Sequence, residues 1–257
     1  MAKWTAFPYP AEHATSAAVV KKNWARLHVG DAEPRPEDAA LLDAWALYHS
    51  GEFQHAVEAG LALGGAGNTV ANRATCIYAN YLEKKEKTRL DLYLLVAERA
   101  EAQAKAEPDN PSAWFWLAFS LGRYSQGISV AKALALGTGS KVKEALERVI
   151  ELRPDHADAN VALGAFHAEV IDKVGPLIGG MTYGAKKETG LKLFQTALVL
   201  NPGSPIAMVE YAHAMVMLEG DQRMKEATRL YEQAAACKPL DAAMRLDIEM
   251  AKAALAD

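Results

Sequence analysis

Three prolines in matching surroundings constrain the fold of this chain more than any other feature. Pro154, Pro202 and Pro239 each follow a segment in which small and large residues recur five, eight and twelve positions earlier. These residues are Val149, Leu146 and Val142; Ala197, Phe194 and Gly190; and Ala234, Tyr231 and Ala227. Small residues let two helices approach closely, and large residues fill the adjoining gaps. The spacing therefore predicts stacked helix pairs that bury one continuous core.

The rest of the chain also favours helices. Ala, Leu, Glu, Lys and Met dominate in blocks separated by Gly, Pro, Asp and Asn, and segments that alternate with period two are few. We expect about a dozen helices, near 12–28, 37–49, 52–63, 68–83, 88–106, 111–123, 141–151, 156–172, 187–199, 204–218, 223–236 and 240–255. Asn110, Asp155 and Ser204 are the expected N-caps of three of them.

The spacing before each proline is that of the second helix of a tetratricopeptide repeat (TPR), and roughly residues 37–239 resemble this family. The stretch "LGRYSQGISV…KEALERVIELRPDHADANVALG" is similar to bacterial relatives of the regulator of microtubule dynamics proteins. A weaker similarity is to the T component of TRAP transporters. The resemblance implies an all-α, TPR-like solenoid of antiparallel helix pairs without an established catalytic activity. We expect an N-terminal extension with a capping helix at 1–36, a solenoid of about five pairs at 37–239, and a capping helix at 240–257.

Two repeats exceed the reference length of 34 residues by more than ten residues, whereas Pro202 to Pro239 spans 37. Pro108 to Pro154 spans 46 residues and Pro154 to Pro202 spans 48. The excess lies between the first and second helices, as Gly-rich apolar inserts near 124–140 and 169–186. Because the inserts occupy the same turn of adjacent repeats, we expect them on the same edge of the solenoid.

In this repeat class the second, fifth, ninth and twelfth residues of each first helix line the concave face. The predicted groove therefore contains Phe115, Phe119, Val161, Ala165, Val209 and His213, with Arg123 at its edge and Tyr183 from the second insert. Two interpretations of this apolar groove stay open. It could bind a peptide or a lipid-like ligand, or the apolar middle of the insert 172–184 could partly fill it.

Catalytic and metal chemistry find little support. "GTGSK" at 137–141 and "YGAKKETG" at 183–190 lack the spacing and the preceding strand of a Walker A loop. His156 and His167 would lie three helical turns apart, and His49 with His55 finds no third ligand nearby in sequence. No nucleophile signature surrounds Cys76 or Cys237, which we interpret as small buried residues. We therefore predict a non-enzyme with no catalytic residues, metal or cofactor.

Charge and composition limit the partners and the compartment. The net charge is −4 and no basic stripe is present, which argues against nucleic acid. No segment reads as a signal peptide or a membrane span, so we expect a cytoplasmic chain, or a periplasmic one if it is a processed form. The segment "WTAFPYP" is expected to dock either on the solenoid or on another subunit. The predicted function is a scaffold or adaptor for a protein partner; the alternative is a binder of apolar small molecules coupled to transport.

Overall fold

Helices form all the regular secondary structure in the computed structural model, which describes residues 3–256. The described residues contain 14 α-helices and no strand. The helices are α1 Pro10–His13, α2 Ala17–Leu27, α3 Ala39–His49, α4 Phe53–Leu63, α5 Gly67–Tyr81, α6 Glu86–Ala106, α7 Pro111–Gln126, α8 Val130–Ala135, α9 Thr138–Leu152, α10 Ala157–Tyr183, α11 Lys187–Leu200, α12 Pro205–Glu219, α13 Met224–Ala235 and α14 Ala242–Ala256. A short 3-10 helix at Asp221–Arg223 precedes α13. The all-α prediction is confirmed.

Each of the twelve predicted helices is present, and the first and second helices of the five predicted repeats are α3/α4, α5/α6, α7/α9, α10/α11 and α12/α13. The chain forms two compact units. Unit 1 comprises Met1–His28, Glu33–Thr138 and Leu240–Ala243; unit 2 comprises Val29–Ala32, Gly139–Pro239 and Met244–Asp257. In unit 1 each helix from α2 to α7 contacts the next, and in unit 2 the helices α10 to α13 do the same. The division at residues 36 and 239 stays a prediction.

The small residues of the repeat do lie where two helices touch. Ala197 and Phe194 of α11 are fully buried. A Cβ added to Gly164 of α10 would lie 2.9 Å from the Phe194 ring and 3.1 Å from the carbonyl oxygen of Gly190. A Cβ added to Gly190 would lie 3.0 Å from the Cβ of His167. This close approach explains why the pattern requires small residues at these positions.

Two of the three predicted N-caps are confirmed and one is wrong. The Asn110 side chain accepts from the backbone N–H of Ser112 at 3.0 Å, and Ser204 Oγ accepts from that of Ala207 at 3.2 Å. The cap of α10 is His156 instead of Asp155, because the His156 ring nitrogen Nδ1 accepts from Ala159 N–H at 3.1 Å. Asp155 instead forms an ion pair with the Arg153 guanidinium at 3.0 Å.

The N-terminal segment packs on α4 and α5 within unit 1, which matches the first of the two alternatives stated for it. Trp4 stacks on Tyr78 with ring centroids 3.9 Å apart, and its backbone N–H donates to Gln54 Oε1 at 2.9 Å. Phe7 is buried and meets Phe53 edge to face at 6.2 Å. The aromatic anchors seen in the sequence are therefore used within the chain.

The inserts are largely helical. The first contains α8, and the second extends α10 to Tyr183, well beyond the predicted end at 172. Gly175 breaks α10 with φ 79° and ψ 159°, and Pro176 opens the second part, where its missing N–H would be unpaired in any case. Gly184, in the left-handed conformation, ends this part: its N–H and that of Ala185 donate to the carbonyls of Gly180 and Gly179.

Candidate functional site

The predicted groove residues of repeat three form an aromatic cluster on α7 of unit 1. Phe115 is buried and Phe119 is partly exposed, and their ring centroids lie 6.1 Å apart. Trp116 meets both rings, at 5.0 Å and 5.4 Å. The Arg123 guanidinium lies 5.3 Å from the centroid of the Phe119 ring, and it donates to Gln126 Oε1 at 3.2 Å. This arrangement offers a cation beside an accessible aromatic surface.

The other five predicted groove residues lie in unit 2 and differ in accessibility. Val161 and Val209 are buried and Ala165 is partly buried, whereas His213 of α12 is exposed. Val161 belongs to the core cluster around Phe194, so it contributes mainly to packing. His213 is the most accessible of the predicted contacts in this unit. The use of all eight residues as one groove stays a prediction.

Tyr183 has a structural role that its sequence did not indicate. Its ring meets Phe166 edge to face at 6.2 Å, and a Cβ added to Gly139 would lie 2.8 Å from the same ring. Gly179 is buried, and a Cβ there would lie 3.0 Å from Val170 Cγ1. The second part of α10 is therefore anchored within unit 2 through Tyr183 and Gly179.

The opposite face of this segment is exposed, which argues against the second interpretation, filling of the groove, for its largest side chains. Leu177, Ile178 and Met181 are 74%, 56% and 83% exposed. The turn at Gly175 and the contacts of Tyr183 and Gly179 fix the orientation of the helix, and this orientation leaves the three side chains in water. The first insert likewise exposes Val130, Leu134 and Leu136.

A group of polar residues on α5 and α6 of unit 1 was missed by the sequence analysis. Arg99 donates through Nε to Asn72 Oδ1 and, at 3.4 Å, to the Thr75 hydroxyl. Cys76 lies beside them and is fully buried. Burial raises the pKa of the Cys76 thiol far above its usual value, against the opposing charges of Arg99 and Arg123, so the thiol stays protonated. Burial raises the pKa of Tyr93 to about 12.

Both cysteines were expected to be small buried residues. Only Cys76 is buried, since Cys237 is partly exposed.

A second missed group joins three distant parts of unit 1. His49 Nδ1 lies 2.7 Å from Asp241 Oδ2, and His49 Nε2 lies 3.3 Å from His28 Nε2. The His28 ring stacks on Trp24 at 3.9 Å. Burial, followed by the charge of Arg73, lowers the pKa of His28 well below its usual value, so this ring is neutral near pH 7. Residues 49 and 241 are 192 positions apart, so no local pattern could reveal this contact.

The Asp241–His49 pair resembles the carboxylate–imidazole part of a catalytic triad, but its surroundings do not suit catalysis. His28 and His49 are 2% and 1% exposed, so a substrate has no access to either ring. Within residues 3–256, no group of three or more His, Cys, Asp or Glu side chains could hold a metal ion. Among the described helices, none has both the length and the apolar character needed to cross a bilayer.

Comparison with solved structures supports the fold. The crystal structure of TTC0263, a thermophilic TPR protein in Thermus thermophilus, matches with a TM-score of 0.58 and 15% sequence identity, over 83% of this chain and 97% of that one. YrrB, described as a TPR protein with an unusual peptide-binding site, matches with a TM-score of 0.42 and 14% identity, over 90% and 97% of the two chains. A monomeric IFIT1 mutant with Gppp-AAAA matches with a TM-score of 0.44 and 14% identity, over 87% and 55%.

At 15% identity, the similarity to TTC0263 shows the fold alone. The structures of YrrB and IFIT1 have TM-scores below 0.5 and are too different for any conclusion about this chain. The comparison with curated proteins gave no significant match. The model of one family, the Regulator of microtubule dynamics protein 1-3, matches residues 68–255, which is well over half of the 257 residues. The expected resemblance is confirmed by this match, and the chain belongs to the Regulator of microtubule dynamics protein 1-3 family.

Proposed function

We propose that this chain is a non-enzymatic interaction module, a scaffold or adaptor, that binds a protein or peptide. The contacts are the accessible residues at the concave positions of the first helices, namely Phe119 and Arg123 on α7, Ala165 on α10 and His213 on α12. Phe115, Val161 and Val209 occupy the same kind of position but are buried, so their proposed role is to support this surface by packing. The two inserts contribute the apolar side chains that they expose, around Leu134 and Leu177.

The observation that carries this proposal is the pairing of Phe119 with Arg123. An aromatic ring that is partly exposed, with a guanidinium 5.3 Å from its centroid, presents both apolar and cationic groups to a partner. Trp, Tyr and Arg are enriched among the residues that dominate binding at protein interfaces, and aromatic residues generally are enriched there. The family is named for microtubule dynamics, and microtubules are assemblies of protein, which supports a protein partner.

A catalytic role has weaker support. The residues that most resemble catalytic groups, His49 and Asp241, are buried, and the Cys76 thiol is protonated and fully buried. Catalysis requires a nucleophile or base that a substrate can reach. A binding role requires only the exposed side chains described above.

The experiment compares partner recovery by affinity capture for the unchanged chain and three variants. Phe119→Ala and His213→Ala remove proposed contacts, while Val199→Ala removes an apolar side chain that is 81% exposed on α11, outside the proposed surface. Tyr183 is not used, because its removal would disturb the anchoring of the second insert. We expect reduced recovery for the first two variants and unchanged recovery for the third, with helical circular dichroism retained in all.

Equal recovery by Phe119→Ala, His213→Ala and the unchanged chain would refute the proposed surface. The alternative, an apolar small molecule as the ligand, is tested by native mass spectrometry of the purified chain. A retained apolar compound that is lost on Phe119→Ala substitution would favour that alternative over a protein partner.

A further inference from the structure

Residues 4–7 lie on α4 and α5 of unit 1 and belong to no helix. Trp4 is the first anchor of this segment, since its ring stacks on Tyr78 with centroids 3.9 Å apart and 14° between the ring planes. The backbone N–H of Trp4 donates to Gln54 Oε1 at 2.9 Å, and that of Thr5 donates to the Tyr78 hydroxyl at 3.4 Å. Two side chains of the helices therefore receive both the ring and the backbone of the segment.

Phe7 is the second anchor, three residues after the first. Its side chain is buried and meets Phe53 edge to face, with ring centroids 6.2 Å apart. Gly51, in the turn between α3 and α4, leaves the space for this ring, because a Cβ there would lie 2.5 Å from Phe7 Cδ1. The turn therefore forms a pocket for an aromatic ring at the second position.

The segment is held by side chains rather than by the backbone. Within the described structure, residues 4–8 form no backbone–backbone hydrogen bond with α3, α4 or α5. Its departure would uncover the faces of Tyr78 and Phe53 that it contacts, both of which are buried in the structure. Exposed aromatic surface of this kind favours a new cover, and any segment with the same two anchors can provide it. The residues on which the segment lies, here called the anchor site, are Gly51, Phe53, Gln54 and Tyr78.

We propose that the anchor site binds a segment of a partner polypeptide that carries two aromatic residues three positions apart. Residues 4–7 occupy the site in the isolated chain and leave it when such a partner displaces them. The occupant defines the ligand: Tyr78 selects a flat ring at the first position, and the pocket at Gly51 selects a ring at the second. The anchor site shares no residue with the surface proposed above, so this inference goes beyond the proposed function.

The covalent link makes residues 4–7 a strong competitor. A segment tethered through a short linker has an effective concentration in the millimolar range. The apparent affinity for a partner falls in proportion to the fraction of chains in which the site is vacant. A peptide should therefore bind the unchanged chain at least about tenfold more weakly than a chain whose own anchors are removed.

The first test measures binding of a fluorescein-labelled peptide with the sequence of residues 3–10, KWTAFPYP, by fluorescence anisotropy. The full-length chain is used unchanged and as the double variant Trp4→Ala/Phe7→Ala, which lacks both anchors of its own segment. We expect the double variant to bind at least about tenfold more tightly than the unchanged chain. Equal affinities, or no binding to a double variant that keeps its helical circular dichroism, would overturn the proposal.

Matched peptides test the spacing of the anchors. One carries Trp and Phe three positions apart in a Gly and Ser background, and its control carries them five positions apart. We expect the control to bind the double variant at least about tenfold more weakly, because only one of its rings can reach its place in the anchor site. Equal binding of the two peptides would contradict the site.

A matched pair of substitutions tests the hydrogen bond to the ligand backbone. Gln54→Ala, added to the double variant, should weaken binding of KWTAFPYP by up to about tenfold, because it removes the acceptor for a backbone N–H. Gln233→Ala, which removes an exposed glutamine of α13 in unit 2, should leave binding unchanged. If the two substitutions have the same effect, the peptide does not bind at the anchor site.

A second preparation covers the case in which the double variant does not fold. A protease recognition sequence is inserted after the exposed Ala14 of the unchanged chain, which folds with its own segment in place and is cut afterwards. We expect an excess of labelled peptide to replace the cut segment, with a rise in anisotropy and release of the segment on size-exclusion chromatography. A cut chain that takes up no labelled peptide would refute the proposal.

The occupant is tested separately by light scattering. A dimer of the unchanged chain that becomes a monomer in the double variant would mean that residues 4–7 are exchanged between two copies, and would overturn displacement by a partner. A monomer in both forms is expected. Failure of the anchor site leaves the proposed function in place, since that function depends on α7, α10 and α12.

Discussion

Replacing Gly60 by alanine should destabilise unit 1, although alanine is the better helix former. Gly60 of α4 faces Gly67 of α5 across a close helix contact. A Cβ on Gly60 would lie 2.5 Å from the carbonyl oxygen of Gly67 and 3.1 Å from the backbone nitrogen of Ala71. Neither atom can rotate away, so the two helices would have to separate.

The magnitude follows from two opposing contributions. Removing a glycine from a helix interior stabilises by roughly 0.5–1 kcal/mol. Overpacking a close contact typically costs about 1–3 kcal/mol, and a contact between two backbones belongs near the upper end. We therefore expect Gly60→Ala to lower the free energy of unfolding by about 1–2 kcal/mol. Melting should shift downward by roughly 2–4 °C per kcal/mol in a chain of this size.

Gly122 of α7 provides a matched control in the same unit. It is also helical, and apart from its chain neighbours and the backbone of its own helix no atom lies within 4 Å of the position of an added Cβ. Gly122→Ala should therefore raise the free energy of unfolding by up to about 1 kcal/mol. The assay is urea and thermal unfolding followed by circular dichroism at 222 nm. A Gly60→Ala chain that melts at or above the temperature of the unchanged chain would refute the packing argument.

Three further outcomes can be measured. Burial and the Arg73 charge hold the pKa of His28 below its usual 6.5. Because the unfolded chain therefore binds more protons below pH 6.5, the free energy of unfolding should fall from pH 7 to pH 5.5. The decrease should be less steep in His28→Gln. Phe7→Ala should destabilise by about 3 kcal/mol or more by leaving a cavity beside Gly51, visible as a lower urea midpoint. Leu177→Gln/Met181→Gln should change that midpoint little, because both side chains are exposed; a large drop would mean that they are packed.

Local patterns in the sequence determined the helices and the repeat register. Prolines end helices through their own geometry, and the spacing of small and large residues sets which side chains touch within a helix pair. Gly164, Gly190 and Phe194 therefore had predictable neighbours before the fold was known. The predicted groove positions on α7 follow from the same register; of the two phenylalanines there, Phe119 is partly exposed and Phe115 is buried.

Contacts between distant segments could not be derived in this way. The three parts of the Asp241–His49–His28 group come from separate elements, and Arg99 and Asn72 lie 27 positions apart on different helices. The sequence indicated that the apolar side chains of the second insert would avoid water, but the turn at Gly175 and the anchoring of Tyr183 leave Leu177 and Met181 exposed. The sequence by itself therefore determined the repeat, since repeat signals are local. Only the tertiary structure decided which polar groups meet and which apolar groups stay in water, since both depend on the orientation of helices that are remote in the chain.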